Sequence, residues 1–497
     1  MVSRPFGALH LGSVLRLQPF HSATKSICNL RFAWSWLGAA ISRIINALIR
    51  ISRPGDDRYA AATAIWAKPV GPMPRTVVHC RTIQDIQLAI AAARSAGLSL
   101  SVRGGGHDWA GRALCDGLVL DLSGMRDVTV SPDRRSARIS GGARASDILA
   151  ATDPLGLAPV TGSCSAVGMA GLTLGGGYGP LIGRFGLALD NLLAADVILA
   201  DGRIVTAKRG GEEDLFWALR GGGGNFGVVT AMHIRLHELP NVVSGVLVYP
   251  FSEAKTVLRR YTDVAPLTRD ELTVQIGAVA GPDGMPVILL VPTWCGRQGH
   301  GDAHIAPLLE LGTLLDNTVD AVRYGASLSV FDAHIVNGQR TFMETCSLSA
   351  LNEDAVDVLV EAMTKAVSAG CAIFTHEFRG AAARVPVEAT AFGLRRDHVL
   401  IEILASFPDR SDRLEEQRHQ HWVRDTWRAF DAIALPGGYP NLLGVGETVE
   451  PRRPLALVHA RSEGAAEAAA AAILAAVTLT DGPVARGSPI GDRIGRS

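Results

Sequence analysis

Three consecutive glycines followed at once by a histidine, Gly104-Gly105-Gly106-His107, form the run in this chain with the clearest chemical meaning. Glycines let backbone N–H groups close on a phosphate, and the imidazole behind them offers a nucleophilic nitrogen at the end of that cradle. With Arg103 ahead of it, the run reads as a polyanion loop that also carries a covalent attachment point. Cys164, within Gly162-Ser163-Cys164-Ser165-Ala166-Val167-Gly168, is a second nucleophile, attractive because a thiolate attacks electrophilic carbon readily. Glu402 interrupts the apolar run 398–404 and shares a strand face with Leu400 and Leu404. Burial there is expected to raise its pKa toward that of a useful base.

The elements around these residues follow from periodicity. Residues 98–102 alternate like a strand leading into the glycine run, after a strand at 77–78 and a helix over 82–96 whose Ile83, Ile86, Ala89, Ile90 and Ala93 share one face. Strands are expected at 117–122, 128–130 and 137–139, and a helix at 145–151. A second glycine-rich region, 161–191, is too glycine-dense to be regular throughout, so its backbone must approach something flat or anionic. Beyond it come a strand at 195–199, an Asp201-Gly202 hairpin turn, a strand at 203–207 and a helix at 213–219. Gly222, Gly224 and Gly227 then spell GxGxxG. A dinucleotide fingerprint needs a strand before the glycines and a helix after, and this run has the reverse, so the Rossmann reading fails on context. A P-loop motif is absent.

After about residue 239 the glycine density falls, with strands at 243–249, 272–278, 285–291, 372–378 and 398–406 and helices near 253–261 and 353–368. The fold class is α+β, with an antiparallel sheet covered by helices in the second part. With 497 residues, 47% hydrophobic, the chain has room for two or three domains. Its 48 basic and 48 acidic residues create no global field toward nucleic acid or membrane, so a small molecule is the expected partner. Seven scattered cysteines without a CxxC pair argue against a disulfide framework or zinc site and for a reducing, cytoplasmic compartment. Residues before Asp56 contain Lys and Arg but no acid, and the apolar run 32–49 is interrupted by Arg43, so a surface helix or an upstream extension is expected there rather than a membrane span, with targeting left open. After Tyr439 no aromatic residue occurs; an alanine-rich helix is expected over 463–477 and disorder over 482–497.

In this order and spacing, RGGGHDWAG at 103–111, GSCSAVGMAGLTLGGGYG at 162–179, GRFGLALDN at 183–191 and EDLFWALRGGGGNFGVVT at 213–230 resemble the berberine bridge enzyme-like branch of the FAD-linked oxidases. The resemblance spans roughly 54–446. It implies a two-part FAD-binding domain of the PCMH (vanillyl-alcohol oxidase) type at 71–240 and a substrate-binding domain at 241–436, preceded by a basic extension, 1–53. A C-terminal segment, 437–497, begins as the family's Tyr-x-Asn return, Tyr439 and Asn441, and diverges from about Thr448. The resemblance further implies that His107 bonds the flavin 8α carbon and Cys164 the flavin C6, and that Val167 leaves room for dioxygen. Arg103, Gly104, Gly105 and Gly106 would hold FAD from the first loop; Gly162, Gly168, Gly171, Leu172, Gly175, Gly176, Gly177, Gly179 and Asn191 from the second; and Gly224, Asn225, Phe226, Gly227 and Val228 from the third. Glu402 aligns with the family's base, and Tyr439 and Asn441 frame flavin and substrate. The implied activity is oxidation of a small alcohol, sugar, amine or secondary metabolite by hydride transfer to covalent FAD, with dioxygen reduced to hydrogen peroxide. A dehydrogenase with another acceptor, or a flavin-binding protein without turnover, stay open as alternatives, and the oligomeric state is unreadable.

Overall fold

The computed structural model describes residues 50–68, 73–334, 337–408, 412–436, 438–439 and 441–442. The apolar run 32–49, the alanine-rich stretch 463–477 and the tail 482–497 lie outside the described residues.

The chain enters through Ile51–Ser52, which pairs antiparallel with Thr76–His79. Thr82 then caps the helix Ile83–Ala96, its hydroxyl accepting from the Asp85 N–H while the Asp85 carboxylate accepts from the Thr82 N–H. Ile86, Ala89, Ile90 and Ala93 are the buried face, as the spacing requires. The strand that leads into the glycine run is Leu100–Arg103, two residues shorter at its start than the alternation suggests, because the Leu98 N–H is still bonded to Ala93 O at the helix end. Leu100, Ser101 and Val102 are all half-buried instead of alternating, since this strand is the edge of its sheet. It runs parallel to Leu118–Asp121 in a register that sets Arg103 opposite Asp121.

A second, antiparallel sheet orders the strands Val128–Val130, Ser136–Ser140, Val228–Arg235, Leu192–Ile198 and Ile204–Lys208. The glycine-rich region 161–191 packs against it through the short helices Met169–Gly175 and Ile182–Phe185, whose Met169, Leu174 and Ile182 share a core with Ile139, Val197 and Met232. The 183–191 stretch is tied to the rest of the protein by Arg395, whose fully buried guanidinium donates to both Asp190 carboxylate oxygens at 2.8 and 2.9 Å.

The third sheet is the platform of the second half. Its main order is Asp316–Asn317, Leu247–Pro250, Pro286–Trp294, Leu272–Ala280, Cys371–Phe378, His398–Phe407, Arg340–Leu348 and Ala434–Leu435, all antiparallel. One face, with Ile276, Ile373, Ile401 and Ile403, is covered by the helices Ala254–Val264, Glu353–Thr364 and Arg413–Asp431. Two of these elements escape periodicity. Arg340–Leu348 mixes Arg, Thr and Glu with apolar residues, and Arg413–Asp431 is dense in charge, although its Trp422, Val423, Thr426, Trp427 and Phe430 recur at helical spacing. The expected strand 243–249 is two strands, Val242–Ser244 and Leu247–Pro250, that both pair with Pro286–Trp294 and differ on their other side: the first pairs with Asp320–Val322, the second with Asp316–Asn317. The helix expected to reach residue 368 ends at Thr364. Among the described residues no helix is long and apolar enough to cross a membrane.

Candidate functional site

A cavity of about 2540 Å³ opens between the three glycine loops and the uncovered face of the large sheet. Sites for one small ligand are several-fold smaller, so there is room for a dinucleotide and a substrate together. Gly104 to His107 line it, with Gly162, Cys164, Val167, Gly168, Gly171 and Leu172 from the second loop and Gly224 to Val228 from the third. Glu402, Tyr439 and Asn441 line it as well.

The first two loops touch backbone to backbone. A Cβ added to Gly105 would lie 2.5 Å from Gly168 Cα, and one added to Gly168 would lie 2.5 Å from Gly105 N. Nothing larger than glycine fits at either position without moving main chain. Arg144 fastens the crossing by donating from Nη2 to Gly105 O at 3.1 Å, while the next residue's N–H bonds Val167 O at 2.9 Å. Below the loop, Arg103 donates to Asp121 at 2.9 Å, and Asp121 also bonds His79 and Ser123. Burial raises the Asp121 pKa, but the His79 hydrogen bond, the Arg103 charge and the Ser123 donors outweigh it and hold it at about 2. Glycine backbone converging on one side of a large cavity suits a flat, anionic dinucleotide.

His107 sits beside Trp66 and Trp109, with ring centroids 5.6 and 5.9 Å away. Burial lowers its pKa to about 4; Glu402 pulls upward and Arg144 downward. At neutral pH the imidazole is uncharged and keeps a nucleophilic lone pair. Cys164 departs from expectation. Burial, with the charges of Asp332 and Glu402, pushes its pKa up to about 12, so it rests as a thiol rather than a thiolate. Its loop is pinned by Ser165, which donates through Oγ to Asp332 at 2.5 Å and through N–H at 3.2 Å.

Glu402 is 6% exposed in an interior strand, between Phe374 on one neighbour and Thr345 on the other. Tyr178 donates its hydroxyl to Glu402 Oε1, and His376 Nε2 lies 3.4 Å from the same oxygen. These partners reverse the expected shift. Burial alone raises the carboxyl pKa, but His376, the Tyr178 hydrogen bond and His107 together bring it below the ordinary value of 4.5. The group is a carboxylate at neutral pH. Tyr178 itself, buried and beside that charge, titrates far above the usual phenol range.

Tyr439 and Asn441 grip the end of the Met169–Gly175 helix. The Gly177 N–H donates to the Tyr439 hydroxyl at 2.6 Å, and Asn441 Nδ2 donates to the carbonyls of Gly171 and Leu172 at 3.1 and 3.2 Å. Gly176, at φ +146°, leaves the space the phenol occupies: a Cβ there would be 2.5 Å from the Tyr439 hydroxyl. Gly175, Gly176 and Gly177 therefore face these side chains and Ala188, and they, Gly179 and Arg103 do not line the large cavity. Neither does Asn191. Its Nδ2 donates to Phe185 O and Leu187 O, both at 2.9 Å, and His237 Nε2 lies 2.8 Å from its Oδ1, so it braces the 183–191 loop from behind.

Sequence reasoning missed Tyr178 and His376. The first lay inside a run read for its glycines; the second interrupts the apolar strand Cys371–Phe378 much as Glu402 interrupts its own.

Residues 74–208 match the FAD binding domain family. The FAD-linked oxidoreductase aurO of Gibberella zeae is 27% identical over 409 residues, covering 80% of this chain and 78% of that protein. Among curated relatives, (R)-6-hydroxynicotine oxidase of Paenarthrobacter nicotinovorans is 32% identical over 274 residues, 54% of this chain and 60% of that one. The crystal structure of 6-hydroxy-D-nicotine oxidase from Arthrobacter nicotinovorans superposes with a TM-score of 0.70 at 25% identity, covering 79% of this chain and 88% of that one. With an FAD binding domain, FAD-linked oxidoreductase relatives along most of its length and the fold of the 6-hydroxynicotine oxidase structure, the chain is an oxidoreductase similar to the FAD-linked oxidoreductases.

Proposed function

We propose that this enzyme is an oxidase of a small alcohol, sugar, amine or secondary metabolite, with FAD attached through His107 and a second attachment through Cys164. The observation that carries the reading is that His107 and Glu402 line one cavity and lie close enough to bias each other's protonation. In this reading residues 71–240 hold the cofactor, 241–436 bind the substrate, and Tyr439 and Asn441 bring the chain back to the flavin. The free state of all six described cysteines is in keeping with a cytoplasmic setting.

When bound, FAD would supply a two-electron acceptor for the hydride leaving the substrate carbon, with dioxygen as the terminal acceptor reduced to hydrogen peroxide. The protein's own groups handle the proton. Glu402, ionised at neutral pH, takes it from the substrate hydroxyl or amine as the neighbouring C–H is lost. Tyr178 holds one carboxylate oxygen in place and stays protonated itself. His107, as a neutral imidazole, and Cys164, once its thiol has lost its proton, would hold the flavin; each bond would replace a flavin C–H and an N–H or S–H, with the two electrons released passing to dioxygen. Val167, three residues beyond Cys164 on the cavity wall, is the small side chain beside which dioxygen has room.

The test is Glu402→Gln, which keeps the shape and removes the proton acceptor. Anaerobic flavin bleaching by a substrate should slow by about 10²- to 10⁴-fold with flavin content unchanged. An unaltered bleaching rate would remove Glu402 from the reaction.

A further inference from the structure

Cys164 lies on the cavity wall in a loop that two distant parts of the chain hold from opposite sides. One is the first turn of the helix Ala145–Thr152, where Ser146 N–H donates to Ser165 O at 2.8 Å and Ala145 N–H to Val167 O at 2.9 Å. The other is Asp332, 167 residues beyond Ser165, in the helical turn Leu328–His334. Its Oδ1 accepts from Ser165 N–H at 3.2 Å and its Oδ2 from the Ser165 hydroxyl at 2.5 Å. That N–H belongs to the peptide plane that follows Cys164 Cα, so the carboxylate fixes the plane from which the cysteine side chain departs. The residues just ahead of the turn are themselves anchored to the first half of the chain: the Tyr324 hydroxyl lies 2.8 Å from Thr161 Oγ1, and Gly325 N–H donates to Asp153 Oδ2 at 3.0 Å. Asp332 therefore reaches Ser165 from a segment that is held in place.

The same carboxylate works against the chemistry of the thiol. Among the described residues it makes no hydrogen bond to Cys164 Sγ, and its negative charge disfavours the thiolate. Charge and anchoring thus pull in opposite directions. Resting on the proposed attachment through Cys164, we infer that Asp332 is a positioning residue for that bond. It holds the Cys164–Ser165 peptide while the sulfur meets the flavin carbon, and the anchoring outweighs the charge. In the bond-forming step S–C replaces S–H and C–H, and the two electrons and two protons released reduce dioxygen to hydrogen peroxide.

The test follows flavin attachment in the full-length protein, incubated with FAD in air and sampled over time for acid precipitation, proteolysis and peptide masses. The His107 adduct in each sample is the internal standard for flavin uptake. Asp332→Asn keeps an oxygen for the Ser165 N–H and removes the charge; Asp332→Ala removes both. The Asn variant should form the Cys164 bond at the wild-type rate or faster, and the Ala variant about tenfold or more slowly at equal His107 adduct. A wild-type rate in Asp332→Ala overturns the inference, and so does an equal loss in both variants, which would make the carboxylate a proton acceptor instead of an anchor. Ser165→Ala, which breaks the hydroxyl bond from the other partner, should slow the Cys164 bond too, and an unslowed bond there overturns the inference even where Asp332→Ala fails to fold. Wild-type protein with flavin on His107 and none on Cys164 defeats the second attachment itself, and this inference with it.

Discussion

Gly105→Ala puts the contact between the first two glycine loops under direct strain. Gly105 does not need a left-handed backbone, so the substitution acts through its methyl group alone. That methyl would stand 2.5 Å from Gly168 Cα and 2.6 Å from Gly168 N, where ordinary contact is more than 3.4 Å. The obstructing atoms are main chain, held by the Arg144 hydrogen bond to Gly105 O and by the Met169 N–H to Ala143 O, so they cannot swing aside like a side-chain tip. Overpacking costs about 1–3 kcal/mol where side chains can adjust, and a backbone clash belongs at the upper end, about 3 kcal/mol. At a urea slope of about 3 kcal/mol/M the midpoint falls by about 1 M. Flavin content should fall with it, because both loops line the cavity. Gly224→Ala is the matched control: it lines the same cavity, adopts no left-handed backbone, and its added methyl has nothing within 4 Å, so its midpoint stays within about 0.2 M. Equal midpoints and equal flavin content for Gly105→Ala and wild type would refute the backbone crossing.

Two further outcomes concern pH. Because Glu402 acts as the carboxylate and its pKa is depressed, kcat/KM should hold from neutral pH downward and fall only below 4.5, as read from initial rates across an acidic buffer series; an acid limb centred near neutrality contradicts the network around it. Asp121 sets a stability limit: its folded pKa of about 2 against an ordinary 3.8 contributes about 2 kcal/mol that is fully present above 3.8 and is lost as pH falls through about 2. Asp121→Asn should flatten that acid dependence in denaturation curves taken between these limits, and an unchanged curve would exclude the Arg103–Asp121–His79 cluster as its source.

What could be read from the sequence was what neighbours along the chain decide. His107 declares itself by following three glycines, and the 220–227 run excludes a Rossmann site by standing between a helix and a strand. Glu402 could be found because a carboxylate in an apolar strand is conspicuous. The direction of its pKa shift is not legible, because it depends on Tyr178, 224 residues away, and on His376 across a strand pairing, and neither partner is visible without the register. The thiolate expected of Cys164 fails for a related reason: burial first, and then Asp332 far along the chain beside its loop, favour the thiol. Asn191 lies in a stretch that looks cofactor-directed, yet its amide points back to Phe185 and Leu187, a direction that spacing does not encode. The charged surface of Arg413–Asp431 hid a helix whose buried stripe is mostly tryptophan and other large residues on one face.

A bond between FAD and His107, at the end of the first glycine run, is the feature of the proposed function most open to direct measurement. Precipitating the purified protein with acid, digesting the pellet and weighing its peptides tests that directly. The expected result is a yellow pellet in which one FAD mass is carried by the peptide containing His107, linked also to the peptide containing Cys164, with the His107 adduct surviving in Cys164→Ala. Flavin released entirely into the acid supernatant, with both peptides at their unmodified masses, would contradict it.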